Sequence, residues 1–553
     1  MNGPKRPDLS KTPVNRRTLV KGTAAAGIAA SAGAGLFGFS PGLVVAQGEP
    51  QQGGEYRAAR TEDSVSFHPF QNTDTASFEY IDLVNRLPLL RYNQDTIELE
   101  PFAAESFEES EDHTKITFNL RQDLVWSDGE PLTANDYVWS WEQALIEENA
   151  WPRLGSYQPF ITSITNSDDY TIEVELTDPI AISLEKANGA LTYVLPKHIW
   201  ESLDWSDPET NPEIMAPSVS AGPFILDEWK KEQYATFVAN ESFFLGRPNF
   251  DKVTFQFYGN GNVALQALFE GEIDRYGPNN EGWPDVQDND SVVALQWDSP
   301  ENGVLYFGFN TRLPMFSDAK VRQALNFALD KELITQELTY GLGQRALGMY
   351  LPTSWAYNPD VEPFTYNVDK AKELLDEAGW AEGDDGVRVK DGERLAFQFI
   401  FGPNNDPIRE QMATVAQQMW GEVGAEVEVA GLEWGAFLQL TKEGPYDWGV
   451  FLNMYIASID PDMIWFKKEA GPAYNRAGWE NEQVQQLYAD GLLEFDREKR
   501  AEIYKEAMNI LTEESPWIYV YYEQGYAGFT NRVKGVEITN LGLNDIWEWW
   551  LEQ

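Results

Sequence analysis

Cysteine is absent from all 553 residues. That excludes disulfides, thiolate nucleophiles and cysteine-held zinc or iron–sulfur centres. It also excludes the lipidated cysteine that tethers a lipoprotein. Histidine is almost absent: His68, His113 and His198 stand far apart, without metal-ligand spacing, so no metal and no other cofactor is expected. Positive charge is scarce. Lys and Arg number 41 against 89 Asp and Glu, giving a net charge of -48. Such a chain repels phosphate backbones and anionic lipid, which excludes nucleic-acid binding. Beyond residue 46 no run approaches the roughly 18 apolar residues of a membrane span. Gly-x-Ser-x-Gly, a phosphate loop and His-Glu-x-x-His are all missing, so nucleophilic and metal-assisted catalysis are poorly supplied. Among so many acids a carboxylate pair of a secreted glycoside-active enzyme is still conceivable, but spacing alone does not bring two of them to one bond.

What is present is a globular composition with unusually many rings: 42% hydrophobic, 13% aromatic and 20 Trp. Most of those rings are expected in cores, where burial of a ring contributes most. The length exceeds one ordinary domain and suggests roughly three domain-sized units. The N-terminus reads Asn15-Arg16-Arg17-Thr18-Leu19-Val20-Lys21, followed by a weakly hydrophobic Ala- and Gly-rich stretch over 24–45. Val44 and Ala46 supply the small residues that cleavage after Ala46 requires. This resembles a twin-arginine export signal over 1–46. Pro41 and the many glycines argue against a membrane anchor. The remaining chain is expected outside the cytoplasm, in the periplasm or at the outer face of the membrane.

Strand-like and helix-like patterns alternate through the rest. Lys115-Ile116-Thr117-Phe118-Asn119-Leu120 alternates polar and apolar, as a half-buried strand does. A turn follows at 127–131, and Thr133 caps a helix predicted over 134–146, with Asp136 in its first turn. A helix after Asp318 carries the stripe Val321, Ala324, Leu325, Ala328 and Leu329. Another after Asn367 carries Val368, Ala371, Leu374, Leu375 and Ala378, with Gly379 as its stop. Further strands are read at 253–257, 304–309, 395–400, 427–429 and 517–522. The mixture indicates α/β lobes with short connections.

Four stretches carry a family likeness. The first is Trp126-Ser127-Asp128-Gly129-Glu130-Pro131-Leu132-Thr133-Ala134-Asn135-Asp136, with the strand before it. The second is Ala221-Gly222-Pro223-Phe224, followed by Asn240-Glu241-Ser242-Phe243-Phe244. The third is Phe309-Asn310-Thr311 leading to Asp318-Ala319-Lys320-Val321-Arg322-Gln323-Ala324-Leu325. The fourth is Tyr366-Asn367-Val368-Asp369-Lys370-Ala371. In this order they resemble the ABC importer solute-binding proteins of family 5, which include the oligopeptide, dipeptide and nickel binders; the look is closest to the oligopeptide binders.

That resemblance implies an α/β, two-lobed periplasmic-binding-protein fold (type II) with an additional inserted subdomain. The hinge lobe is expected at 47–85, 220–298 and 518–553, the inserted subdomain at 86–219 and the second lobe at 299–517. The implied function is capture of an oligopeptide by lobe closure and delivery to ABC permease subunits, as a monomer. An oligosaccharide is the alternative ligand. Family peptide binders hold the ligand's free amine on an Asp after a strand. The matching stretch here runs from Phe451 to Asp462 and includes Asn453 and Tyr455; Ser458 stands where that Asp is expected. A serine lacks the charge that makes ammonium pairing strong, so Asp460 or Asp462 is the candidate substitute. Trp434, Tyr455, Trp465 and Tyr474 are ring candidates for the cleft. Trp283, in the polar stretch Glu281-Gly282-Trp283-Pro284, is another, because an apolar ring among turn residues must find a partner. Arg476 is placed to hold a carboxylate.

Overall fold

The structure, a computed structural model, describes residues 48–553 except 362–363, 404–405, 463–464 and 469–470. The twin-arginine stretch lies outside the described residues. No described helix is long and apolar enough to cross a membrane.

Two mixed sheets organise the chain. The first has seven strands, in the order Val292–Trp297, Gly525–Thr530, Arg275–Tyr276, Glu55–Arg60, Lys252–Phe257, Tyr234–Ala239 and Phe224–Lys230. Its only parallel pairings are those of Glu55–Arg60 with its two neighbours. Tyr56, Phe224, Phe237, Phe255 and Phe529 fill its core against the helix Thr75–Val84. The second sheet has six strands, in the order Gly343–Arg345, Trp517–Glu523, Gly303–Phe309, Val450–Ile456, Ala396–Phe401 and Glu426–Gly431. Gly303–Phe309 is buried along its whole length. It lies between two strands with helices over one face and an aromatic cluster over the other. A strand covered on both faces reads as a continuous apolar run, which is how it appears in the sequence. A third, antiparallel sheet of Ala104–Glu109, Lys115–Leu120, Thr171–Leu176 and Ile161–Asp168 has its own core around Trp126, Tyr137 and Trp141.

Local rules place the helices. Thr133 and Asp136 form a reciprocal capping box at the start of Ala134–Ala144, which satisfies two N–H groups that a helix start leaves unpaired. The Asp318 carboxylate accepts from Lys320 N–H at 2.9 Å and starts Ala319–Phe327. This helix ends before Ala328 and Leu329, although both are buried. The Asn367 side chain accepts from Lys370 N–H at 2.9 Å and starts Val368–Glu377. Gly379 ends that segment at φ +86, a left-handed conformation that costs a glycine little.

One border moves. The sequence put 518–553 with the hinge lobe, but Trp517–Glu523 pairs with Gly303–Phe309 and Gly343–Arg345 in the second sheet. Its six leading residues are buried, which demands an interior position between two strands. The chain returns to the first sheet one residue later, at Gln524.

Candidate functional site

The chain passes between the two sheets at 298–302 and again at Gln524. The two crossings lie side by side: Gln524 donates Nε2–H to Asp298 at 2.8 Å, and its N–H to the Leu342 carbonyl at 3.2 Å. A few residues that join two sheets in this way can absorb the backbone rotation of lobe closure. Far from the crossings the lobes meet again. Ala181 N–H donates to the Leu492 carbonyl at 2.7 Å. The His113 ring stacks on Phe495 at 3.9 Å, and Arg497 lies 3.7 Å from Glu98.

Between these contacts is a cavity of about 500 Å³, lined by the hinge lobe at Asp82, the third sheet's region at Glu185, and the second lobe at Glu301 and Ser458. Two smaller cavities adjoin it. One of about 290 Å³ shares Asp82, Arg86 and Glu301, and one of about 250 Å³ shares Glu185 and Asp460. Enclosure of this kind removes water and strengthens polar contacts with whatever enters.

Charge in this lumen is partly matched. Arg500 grips Asp460 at 2.8 and 3.2 Å, and Lys467 grips Asp462 at 2.7 and 2.8 Å. Tyr193 donates to Asp82 at 3.0 Å, with Arg86 at 3.8 Å. The Lys186 ammonium sits over the Phe160 ring at 4.7 Å. The Glu301 side chain accepts no hydrogen bond from the described residues, and the Glu185 carboxylate accepts one from its own backbone N–H. Burial, with Asp460 facing it, pushes the Glu185 carboxyl up to about 7. Partial desolvation also raises Glu301 and Asp82, with Arg86 opposing it in both, and the Glu301 side chain keeps its contact with solvent.

A carboxyl raised from its ordinary 4.5 favours its protonated form in the enclosed state. The stability it contributes is present below about 4.5 and is lost as pH rises through about 7. Glu185→Gln is therefore expected to remove this slope and to be the more stable protein above that pH. The difference is about 2 kcal/mol after allowance for the solvent that reaches the group. Urea midpoints measured at pH 5 and pH 8 check this; parallel shifts of wild type and variant would rule it out.

The residues singled out in the sequence scatter. Ser458 and Asp460 line the cavity, but Asp460 and Asp462 are both already paired with cations and are not free to take an amine. Trp283 is not in the cleft. It is 1% exposed, begins the helix Trp283–Gln287, and packs on Tyr526 at 5.2 Å in the hinge-lobe core. Its partner comes from a strand far along the chain. Tyr455 is buried and spends its hydroxyl on the Met349 carbonyl. Asn453 is buried and donates to the Tyr306 hydroxyl at 3.5 Å. Trp434 stays 40% exposed, stacked on Phe437. Tyr474 stays 41% exposed, 5.8 Å from Trp465. Arg476 is buried and is not part of the cavity lining. Glu185, Glu301 and Arg86 went unnoticed in the sequence, where nothing separates them from the other charges. Among the described residues no group of three or more His, Asp or Glu could hold a metal.

Two α/β lobes, joined at paired crossings and enclosing a charged lumen, define a two-lobed ligand-binding protein. Residues 98–472 match the middle region of the bacterial extracellular solute-binding proteins, family 5. The oligopeptide-binding protein AppA of Bacillus subtilis is 28% identical, over 91% of this chain and 93% of its own. The dipeptide-binding protein of Escherichia coli is 26% identical, over 86% and 90%. The solved structure of AppA in complex with a nonapeptide superposes with a TM-score of 0.76 at 26% identity, covering 91% of this chain and all of that one. The chain belongs to family 5 of the bacterial extracellular solute-binding proteins. It has the type II periplasmic-binding-protein fold, is a binding protein and not an enzyme, and is the substrate-binding component of an ABC importer.

Proposed function

We propose that the ligand is an oligopeptide, bound as an added strand along Val450–Ile456. One observation carries this reading. Ala457 N–H donates to the Asn302 carbonyl, so in antiparallel register Asn453 and Tyr455 also turn their backbone groups toward Gly303–Phe309. Met454 and Ile456 turn theirs to the opposite side, where the neighbouring strand ends its pairing at Phe401 opposite Leu452. Their N–H and C=O groups have no backbone partner among the described residues. The strand continues directly into Ser458 and Asp460, which line the cavity. An open edge beside an enclosed lumen suits extended peptide, because main-chain hydrogen bonds supply affinity without demanding a side-chain sequence. The relatives named for oligopeptide and dipeptide binding support the same reading.

The ligand's amine meets the unpaired carboxylates Glu185 and Glu301, in place of the missing Asp at Ser458. Ligand contacts to both lobes stabilise the closed arrangement, whose rim is Ala181 against Leu492, and the closed monomer docks on the permease. The leader with Arg16 and Arg17 directs the chain to the twin-arginine route.

The test begins with mass spectrometry of ligands released from the purified chain by denaturation. Short peptides are expected; an oligosaccharide would overturn the reading. Calorimetry then compares a bound peptide with analogues N-methylated at single positions. Loss of a strand hydrogen bond in the enclosed site is expected to weaken binding about tenfold at alternate positions. Indifference to methylation at every position would rule out strand addition.

A further inference from the structure

Arg476 is only 7% exposed. Its Nε and Nη1 are buried and have no hydrogen-bond partner among the described residues. Burial lowers its affinity for its proton, and the sole opposing influence is the Tyr306 hydroxyl rather than any carboxylate. The charge of Lys442 is in turn disfavoured by Arg476. In a protein with 89 acids, a buried guanidinium with no carboxylate acting on it is out of place. Buried charges are ordinarily paired, and an unmatched donor in an interior calls for an acceptor.

The surroundings repeat this excess of donors. Tyr306 stacks on Trp517 at 3.8 Å and lies opposite Tyr519 and Asn453 in the second sheet. Trp517 Nε1 and the Tyr519 hydroxyl are also buried without a partner among the described residues. Arg312 donates to the Arg476 carbonyl at 2.8 Å, which fixes the backbone beneath the guanidinium. Arg476 is thus held in place while its side chain is left unmatched.

We propose that Arg476, beside Tyr306, is the centre of a small-anion site in the second lobe, one that takes a carboxylate or a halide. The acceptor has two sources. One is a carboxylate of the ligand, which rests on the peptide reading above because Asn453, on the strand proposed to pair with the peptide, donates to Tyr306. The other is a free halide, which is independent of that reading.

The test uses the whole chain without its leader, as wild type and Arg476→Gln. Crystals grown in bromide are examined for anomalous scattering, and calorimetry compares a peptide with its C-terminal amide. A bromide peak at Arg476 in the wild type, absent from the variant, supports the halide source. Binding of the acid about tenfold tighter than the amide in the wild type, with equal binding in the variant, supports the ligand carboxylate. If neither bromide nor the carboxylate distinguishes wild type from variant, the site is overturned. In that case continued peptide binding leaves the functional reading intact. Bromide at Arg476 in a chain that binds no peptide would separate the two in the other direction. If Arg476→Gln does not fold, Arg476→Lys takes its place, since it keeps the charge and loses the planar fork.

Discussion

Asp274→Ala is expected to lower the unfolding free energy by about 3 kcal/mol. Asp274 is fully buried and its carboxylate accepts four hydrogen bonds: from Arg57 N–H at 2.9 Å, the Thr530 hydroxyl at 2.9 Å, and Arg532 Nε and Nη2 at 2.5 and 2.6 Å. These donors come from Glu55–Arg60 and Gly525–Thr530, the earliest and latest strands of the seven-stranded sheet in chain order, and from Arg532 two residues further on, so one side chain ties both ends of the described chain to its middle. Alanine would leave the Arg57 amide and the Thr530 hydroxyl with no acceptor in the interior, and each such loss costs about 1–3 kcal/mol. The guanidinium adds less, because Arg532 keeps 41% of its side-chain surface in solvent and can turn to water. Asp274→Asn retains one acceptor and should cost about half as much. Urea unfolding reports this as a lower midpoint at unchanged slope. A midpoint equal to that of the wild type would remove the carboxylate from any structural role.

Gly222→Ala should be nearly as damaging, at about 3 kcal/mol or more. A Cβ at this position would lie 2.3 Å from the Leu83 carbonyl oxygen and 2.8 Å from its carbon. Both are backbone atoms at the end of the helix Thr75–Val84, so no rotamer change relieves the clash. The approach is fixed from three sides. Gly222 N–H donates to the Val84 carbonyl at 2.9 Å, Asn240 donates to the Gly222 carbonyl at 2.8 Å, and the Ser220 hydroxyl donates to the Val84 carbonyl at 2.9 Å. The same helix carries Asp82 and precedes Arg86, so a shift that relieved the clash would also displace two charges of the lumen. Loss of ligand affinity together with stability is the expected pattern, read by calorimetry and urea unfolding on one preparation. A variant that unfolds and binds as the wild type does would show that the helix end yields freely.

The sequence alone determined most of the local structure. Thr133, Asp318 and Asn367 start their helices because a side-chain oxygen of the capping residue satisfies N–H groups within the next turn, an interaction of residues two or three apart. The apolar runs at 304–309 and 517–522 announced strands. The four motifs were enough to indicate the family, and with Gly222 the physical reason is now visible in the Leu83 carbonyl. Tertiary structure alone decided the rest, because it depends on residues far apart in the chain. Trp517–Glu523 belongs to the second lobe because its partners are Gly303–Phe309 and Gly343–Arg345, which no local pattern reveals. Trp283 looked exposed among polar neighbours until Tyr526 covered it. Asp460 looked free until Arg500 took it. Of 89 acids, Glu185 and Glu301 stand out only because the fold brings them to one cavity between the lobes, Glu185 facing Asp460 and Glu301 beside Arg86. Loss of hydration is a property of the assembled cavity, and a carboxylate carries no mark of it in the sequence.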